Sequence, residues 1–202
     1  MRLRRHLALL LLCAAVPAAA QETAGVAGRV TLAVEGVRLA DLGQTVVFVD
    51  DGESGAVPAK RATIRQRNAY FAPDFLAIAV GQSVDMPNDD AIFHNVFSFS
   101  KPNDFDLGLY PAGQSRQVTF KHAGVVKIYC SIHESMSGTI FVSPSPWFAV
   151  AKANGDFEIN GIPPGKHTLR VWNEKLPEAT RSVTLDPGKR ERVEIQLEAG
   201  AH

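Results

Sequence analysis

The sequence predicts an all-β protein made of sandwich or barrel units. The first observation is that 16 Gly and 12 Pro residues punctuate the chain, which disfavours long helices and favours short strands joined by turns. The second is a series of strand-length apolar runs rich in β-branched and aromatic residues. These runs cover residues 46–49, 75–80, 92–99, 118–120, 125–129 and 139–142. Short strands at this spacing are typical of β-sandwiches and barrels.

The first twenty residues form a predicted secretory signal peptide. Arg2, Arg4 and Arg5 are a basic n-region, residues 7–16 are an apolar stretch, and three Ala residues at 18–20 are a typical cleavage site. We therefore expect a periplasmic or secreted protein. No later apolar run is long enough for a membrane span.

Removal of this segment changes the composition. The full chain has 21 basic and 21 acidic residues; three Arg residues leave with the signal peptide, so 18 basic residues remain against 21 acidic ones. This charge balance argues against a nucleic-acid binder, which needs a basic excess to neutralise phosphates. Of the two Cys residues, Cys130 alone remains. A single Cys in an oxidising compartment predicts an intermolecular link, a buried thiol, a nucleophile or a metal ligand.

The chain after residue 20 divides into three predicted segments. A Ser-Pro-Ser-Pro sequence at 143–146 separates residues 58–143 from a C-terminal β region at 144–202. In that region Asn154-Gly155 predicts a tight hairpin, and a Pro-Pro-Gly turn at 163–165 separates two further strands. Residues 21–57 form an N-terminal β segment. Two arrangements are open. The three segments follow one another in tandem, or residues 21–57 are the first strands of the C-terminal sandwich and the central segment is inserted into it.

The most informative residues are one Cys, two His and one Met. Cys130, His133 and Met136 recur at intervals of three, and His94 lies on an earlier strand. Thiolate and thioether are soft donors that suit Cu(I), and imidazole binds Cu(II) well. Two His, one Cys and a weak axial Met are the ligand set of a trigonal copper site that changes oxidation state with little rearrangement.

The strand before Cys130 places the thiol. Val126, Ile128 and Cys130 alternate with Lys127 and Tyr129, so the Cys side chain is predicted to point into the apolar interior. A dry environment there excludes water and tunes a redox potential.

Other interpretations of these residues explain less of the pattern. Cys130 alone would be an inert buried thiol. A zinc site would more often take a carboxylate or a second Cys, and a catalytic Cys–His pair leaves Met136 without a role. Met86 is predicted to be core. The remaining polar candidates are expected on a solvated surface: His122, His167, His202, Asp89, Asp90, Asp104 and Asp106. Three aromatic residues are expected to serve in packing: Phe93, Phe97 and Phe99.

Residues 58–143 resemble a cupredoxin of the plastocyanin and amicyanin group. The resemblance rests on these motifs: Phe71-x-Pro73, Val80-Gly81-Gln82-Ser83-Val84, Asn88-x-Asp90, His94-Asn95, Pro111-x-Gly113, Gly124-Val125-Val126 and Cys130-x-x-His133-x-x-Met136. It implies one mononuclear type 1 copper held by the two His, the Cys and the Met. It also implies that hydrogen bonds of Asn95 and Ser131 join the two ligand loops. Glu134 departs from the pattern, since relatives often have Pro there.

Two further resemblances concern the rest of the chain. The C-terminal region is similar to transthyretin-like or carboxypeptidase-regulatory-like sandwiches, which have Gly-x-Phe followed by Pro-Gly-x-Tyr/His-x-Leu. Residues 105–110, together with that region, resemble bacterial cupredoxin proteins labelled methylamine utilisation proteins.

These observations predict an exported one-electron carrier that is not an enzyme and that exchanges electrons with a cytochrome or a dehydrogenase. Two alternatives stay open. One is a periplasmic copper-handling protein, although the chain lacks clusters of Met and His. The other is a structural or binding module in which the copper site is accessory.

Overall fold

The computed structural model describes residues 22–34, 36–52 and 56–198, and the predicted signal peptide and His202 lie outside them. The predicted all-β fold is confirmed: the described residues form strands and one short 3-10 helix, Leu39–Leu42, and no helix among them is long and apolar enough to cross a membrane. The strands are β1 (Ala24–Leu32), β2 (Thr45–Val49), β3 (Ala62–Thr63), β4 (Arg65–Arg67), β5 (Tyr70–Ala72), β6 (Phe75–Ala79), β7 (Ser83–Pro87), β8 (Phe97–Ser98), β9 (Phe105–Asp106), β10 (Ser115–Thr119), β11 (Gly124–Tyr129), β12 (Ser137–Ser143), β13 (Phe148–Val150), β14 (Asp156–Ile162), β15 (Gly165–Asn173), β16 (Ala179–Leu185) and β17 (Arg190–Leu197).

The two ends of the chain form one sandwich, which we call the flanking unit. One sheet has the strand order β14-β1-β17, and the other has the order β13-β2-β15-β16. Strand β1 pairs antiparallel with β14 and parallel with β17, so Val26 lies opposite both Ile159 and Glu191. The apolar faces of the two sheets enclose a core that includes Val47, Leu169 and Leu197.

Strands β3 to β12 form the central unit, which spans residues 62–143. Its sheets have the orders β10-β7-β3 and β6-β12-β11-β8-β9, and β4 and β5 form a separate hairpin. A second core, which includes Val84, Ile128 and Ile140, fills it. In chain order the strands of the central unit therefore lie between β2 and β13 of the flanking unit.

The two units meet through a third apolar cluster. Every residue of β2 is buried, because its two faces pack on different partners. Val47 and Val49 face the flanking core, whereas Val46 and Phe48 face Phe141 of the central unit. A strand that is covered on both faces has a continuous apolar sequence instead of an alternating one, which explains why residues 46–49 are all apolar.

Aromatic rings make up most of this inter-unit cluster. Phe141 lies between Phe48 and Trp172, with ring centroids 5.4 and 5.0 Å away, and Phe75 stacks on Trp172 at 6.1 Å. Buried ring pairs in such tilted or offset geometries add to the free energy of area burial. Because Phe75 and Phe141 belong to the central unit and the other two rings to the flanking unit, the cluster packs one unit on the other.

The predicted strand at residues 92–99 is wrong in most of its length. Only Phe97–Ser98 forms a strand, and His94 makes an isolated bridge to Tyr110. The Asn88 side chain donates to the Ile92 carbonyl at 2.8 Å and accepts from the Asp90 N–H at 3.0 Å. Such side-chain bonds to the backbone compete with a strand ladder and fold this segment into a loop.

Candidate metal centre

The loop from Cys130 to Met136 connects β11 with β12. It is closed by its own backbone: the Cys130 N–H donates to the Met136 carbonyl at 3.2 Å, and the Met136 N–H donates to the His133 carbonyl at 2.9 Å. Because β11 and β12 pair up to Tyr129 and Ser137, the antiparallel ladder delivers both ends of the loop to the same place. The loop therefore holds its Cys, His and Met within one turn.

The alternation predicted for β11 is confirmed. Val126, Ile128 and Cys130 are buried, whereas Tyr129 is exposed and Lys127 is half-buried. The Cys130 thiol consequently enters the central core, and it is a free cysteine.

His94 reaches the same point from the loop between β7 and β8. Its bridge to Tyr110 consists of two backbone hydrogen bonds, of 3.3 and 2.9 Å. Its side chain is fully buried, and its Nδ1 lies 3.8 Å from Cys130 Sγ. The His94 and His133 rings meet edge to face with centroids 4.9 Å apart. One donor atom from each of His94, Cys130 and His133 lies within 4.8 Å of the other two.

Met136 and Met86 are both buried in the central core. For Met86 this agrees with the predicted core role. Met136 ends the loop that carries Cys130 and His133, and its backbone carbonyl and N–H bond to those two residues.

The two loops that meet at this cluster are joined by side chains beside the His and the Cys. The Asn95 side-chain oxygen accepts the Ser131 N–H at 2.8 Å and the Ser131 hydroxyl at 3.0 Å. Asn95 is buried and Ser131 is exposed, so these bonds lie at the boundary between the core and the surface.

Asp90 was predicted from the sequence to lie on a solvated surface, but in the structure it contacts the site. Its carboxylate accepts His94 Nε2–H at 2.8 Å, and its side chain is 14% exposed. Burial opposes ionisation of this carboxyl, but hydrogen bonds from the Ala69 and Asn68 N–H groups and from His94 lower its pKa below the usual value. The signal in the sequence was that Asp90 lies four residues before the candidate ligand His94, in a segment rich in turn-forming residues.

Several other sequence predictions need correction. Phe93 is 55% exposed, whereas Phe99, although 80% exposed, packs edge to face on the Phe97 ring with centroids 5.2 Å apart. The His167 side chain is only 10% exposed, and it is bonded to Asp51 and to the Pro163 carbonyl, so it is not a free surface residue.

The cluster fits a copper ion by its chemistry. His133 Nδ1 is buried without a hydrogen-bond partner, which leaves a polar atom that a metal would satisfy. His94 Nδ1 is free to coordinate, since its Nε2 is bonded to Asp90. Two imidazoles and a thiol are donors typical of a copper electron-transfer site rather than of a hard-cation site.

Comparison with solved structures finds copper proteins at low similarity. A purple cupredoxin from Nitrosopumilus maritimus is 29% identical over 41% of this chain and 99% of its own, with a TM-score of 0.37. A reduced amicyanin that carries one Trp-to-Tyr substitution is 21% identical over 48% of this chain and 98% of its own, with a TM-score of 0.40. A Cu-containing nitrite reductase from Thermus scotoductus SA-01 is 22% identical over 56% of this chain and 28% of its own, with a TM-score of 0.40.

No protein-family model matches the sequence, and no curated protein matches it. The centre is thus defined by its own geometry: in an all-β chain, two His and one Cys converge within metal-binding distance at the end of a buried core.

Proposed function

We propose that the chain is an exported type 1 copper protein that carries one electron at a time and turns over no substrate. The observation that carries this proposal is the convergence of His94, Cys130 and His133, with donor atoms within 4.8 Å of one another. Met136 is the proposed weak axial ligand. A copper ion held by these residues supplies a one-electron couple between Cu(I) and Cu(II).

The protein side chains contribute rigidity and exclusion of water. His94 is fully buried and Cys130 is 6% exposed, so two of the three donors are closed to solvent. The Asn95–Ser131 bonds and the backbone bonds across the Cys130–Met136 loop hold the donors in place. A site whose ligands do not move between oxidation states has a small reorganisation cost, as an electron carrier requires.

His133 is the proposed edge for electron entry and exit. It is half-buried, while its neighbours Ile132 and Glu134 are exposed. An electron can therefore pass between a docked protein and the site through this ring. We propose a redox protein as the partner, a cytochrome or a dehydrogenase.

The test is a visible and electron paramagnetic resonance spectrum of the copper-loaded chain without residues 1–20. We expect an intense thiolate-to-copper absorption in the wild type and in Ser135→Ala, a change at an exposed residue of the same loop. Cys130→Ser should lose the band. A copper-loaded wild type that lacks this band would refute the type 1 assignment.

Electron transfer is tested separately from metal binding. The reduced and oxidised proteins should exchange electrons rapidly with a small cytochrome and with each other. Slow exchange combined with readily lost copper would support copper handling instead. A function that survives Cys130→Ser would support the structural or binding module.

A further inference from the structure

We propose that Asp90 is a positioning residue for the metal centre, which fixes the tautomer of His94 and favours Cu(II) over Cu(I) at that ligand. This inference rests on the proposed function. The two nitrogens of His94 face different groups: Nδ1 lies 3.8 Å from Cys130 Sγ, and Nε2 lies 2.8 Å from Asp90 Oδ2. A carboxylate oxygen only accepts, so the ring proton is on Nε2, and the Nδ1 lone pair faces the thiol.

The Asp90 carboxylate is itself held by backbone groups. Oδ1 accepts the Asn68 N–H at 2.6 Å, and Oδ2 accepts the Ala69 N–H at 2.9 Å. The Asp90 N–H donates to Asn88 Oδ1 at 3.0 Å, which fixes the start of the side chain. With one backbone N–H donor on each oxygen, the carboxylate has one orientation, and it presents that orientation to His94.

The turn that supplies two of these donors is unusual. Asn68 and Ala69 join β4 to β5 with φ values of 55° and 56°. This left-handed pair is the geometry of a tight type I′ hairpin turn, which normally prefers Gly at its second position. Ala in this conformation is uncommon, and both N–H groups point at Asp90. The hairpin turn thus binds the Asp90 carboxylate through two backbone N–H groups.

The consequence for the ligand is electronic as well as geometric. A carboxylate bonded to the distal nitrogen of a metal-binding His fixes the ring and raises its basicity. A more basic imidazole and a nearby negative charge stabilise the higher metal charge more than the lower one. Asp90 should therefore lower the reduction potential of the centre.

A purely structural role makes a different prediction. If Asp90 only caps the hairpin turn, its loss should reduce the free energy of unfolding and leave the metal couple unchanged. Asp89 provides a matched control: it is the adjacent carboxylate, and it pairs with Arg65 at 2.8 Å instead of with a His. Asp89→Asn removes the same charge one residue away and keeps the His94 bond.

The experiment measures the potential of the copper-loaded wild type, Asp90→Asn and Asp89→Asn by redox titration. We expect Asp90→Asn to shift the ratio of Cu(II) to Cu(I) affinity by about tenfold toward Cu(I), which is about 59 mV for a one-electron couple. Asp90→Ala should lose about 10-fold to 100-fold in Cu(II) affinity. Asp89→Asn should stay within about twofold of the wild type. Equal potentials in the two Asn variants would overturn the proposal.

A second measurement needs neither a variant nor copper. Nitrogen-15 spectra of the metal-free wild type should show His94 with its proton on Nε2 and with slow exchange of that proton. A proton on Nδ1, or rapid exchange, would overturn the role of Asp90 even if the variants fail to fold. A wild type without a thiolate-to-copper band would instead refute the proposed function and leave the tautomer result standing.

Discussion

The side-chain oxygen of Asn95 accepts two hydrogen bonds from Ser131, one from the backbone N–H at 2.8 Å and one from the hydroxyl at 3.0 Å. These two residues follow the proposed ligands His94 and Cys130 directly and are 36 positions apart. One amide oxygen therefore joins the two loops on which the centre depends.

Asn95→Ala should weaken this joint more than Ser131→Ala does. The Asn95 change leaves the Ser131 N–H without its partner, at a cost of about 1–3 kcal/mol in the free energy of unfolding, whereas loss of the hydroxyl alone costs about 1 kcal/mol. Denaturant unfolding of the metal-free proteins and the rate of copper loss to a chelator measure both effects. Equal unfolding free energies and equal rates of copper loss in the two variants would contradict the interpretation that the Asn95 oxygen accepts both Ser131 hydrogen bonds.

Met136→Leu should keep the blue colour and raise the reduction potential. Leucine fills a similar volume, so the core survives, but it offers no sulfur to Cu(II). The potential rises by about 59 mV for each tenfold loss of Cu(II) affinity relative to Cu(I). Met86→Leu is the control, because Met86 is equally buried in the same core and is not a proposed ligand. Equal potentials in the two variants would exclude Met136 as the axial ligand.

Phe141→Ala should uncouple the two units while it leaves the metal centre intact. The Phe141 ring faces Phe48 and Trp172, and a buried Phe replaced by Ala loses about 3 kcal/mol or more. The neighbouring Val142 faces the central core instead, so Val142→Ala, at about 2 kcal/mol, tests the opposite side of β12.

Calorimetry should show separated unfolding transitions for Phe141→Ala and one shifted transition for Val142→Ala. The spectrum of the copper-loaded Phe141 variant should match that of the wild type. A single cooperative transition in both variants would mean that the aromatic cluster does not couple the units.

Tyr110 should resist ionisation in alkaline solution. Burial raises its pKa to about 12, although a hydrogen bond from Gln66 and the nearby Arg116 oppose the shift. Between about pH 10 and pH 12 the unfolded state has lost this proton and the folded state still holds it, so the free energy of unfolding falls as the pH rises. Below about pH 10 this residue adds no pH dependence.

Absorbance of tyrosinate measures this effect. The Tyr110 step should come at about pH 12, above the usual tyrosine range. Tyr110→Phe should remove the late step and flatten stability over the same pH range. A difference between the wild type and Tyr110→Phe that already appears near pH 10 would disprove the burial argument.

The sequence by itself determined the all-β class and pointed to His94, Cys130 and His133, whose donor atoms converge in the structure. Both follow from local features: alternation in β11 turns Cys130 inward, and the intervals of three place His133 and Met136 on the same short loop. Only His94 required a long-range contact, and its residue type and its neighbour Asn95 indicated that contact in advance.

Tertiary structure alone decided how the strands pair and what surrounds the ligands. Val26 in β1 lies opposite Glu191 in β17, and local patterning cannot specify a partner so distant in sequence. Asp90 resembles its acidic neighbours in sequence, and it becomes part of the site because the chain around it folds into a loop rather than a strand. Partner choice and loop geometry depend on the sum of many distant contacts, whereas ligand chemistry depends on a few side chains that can be read one by one.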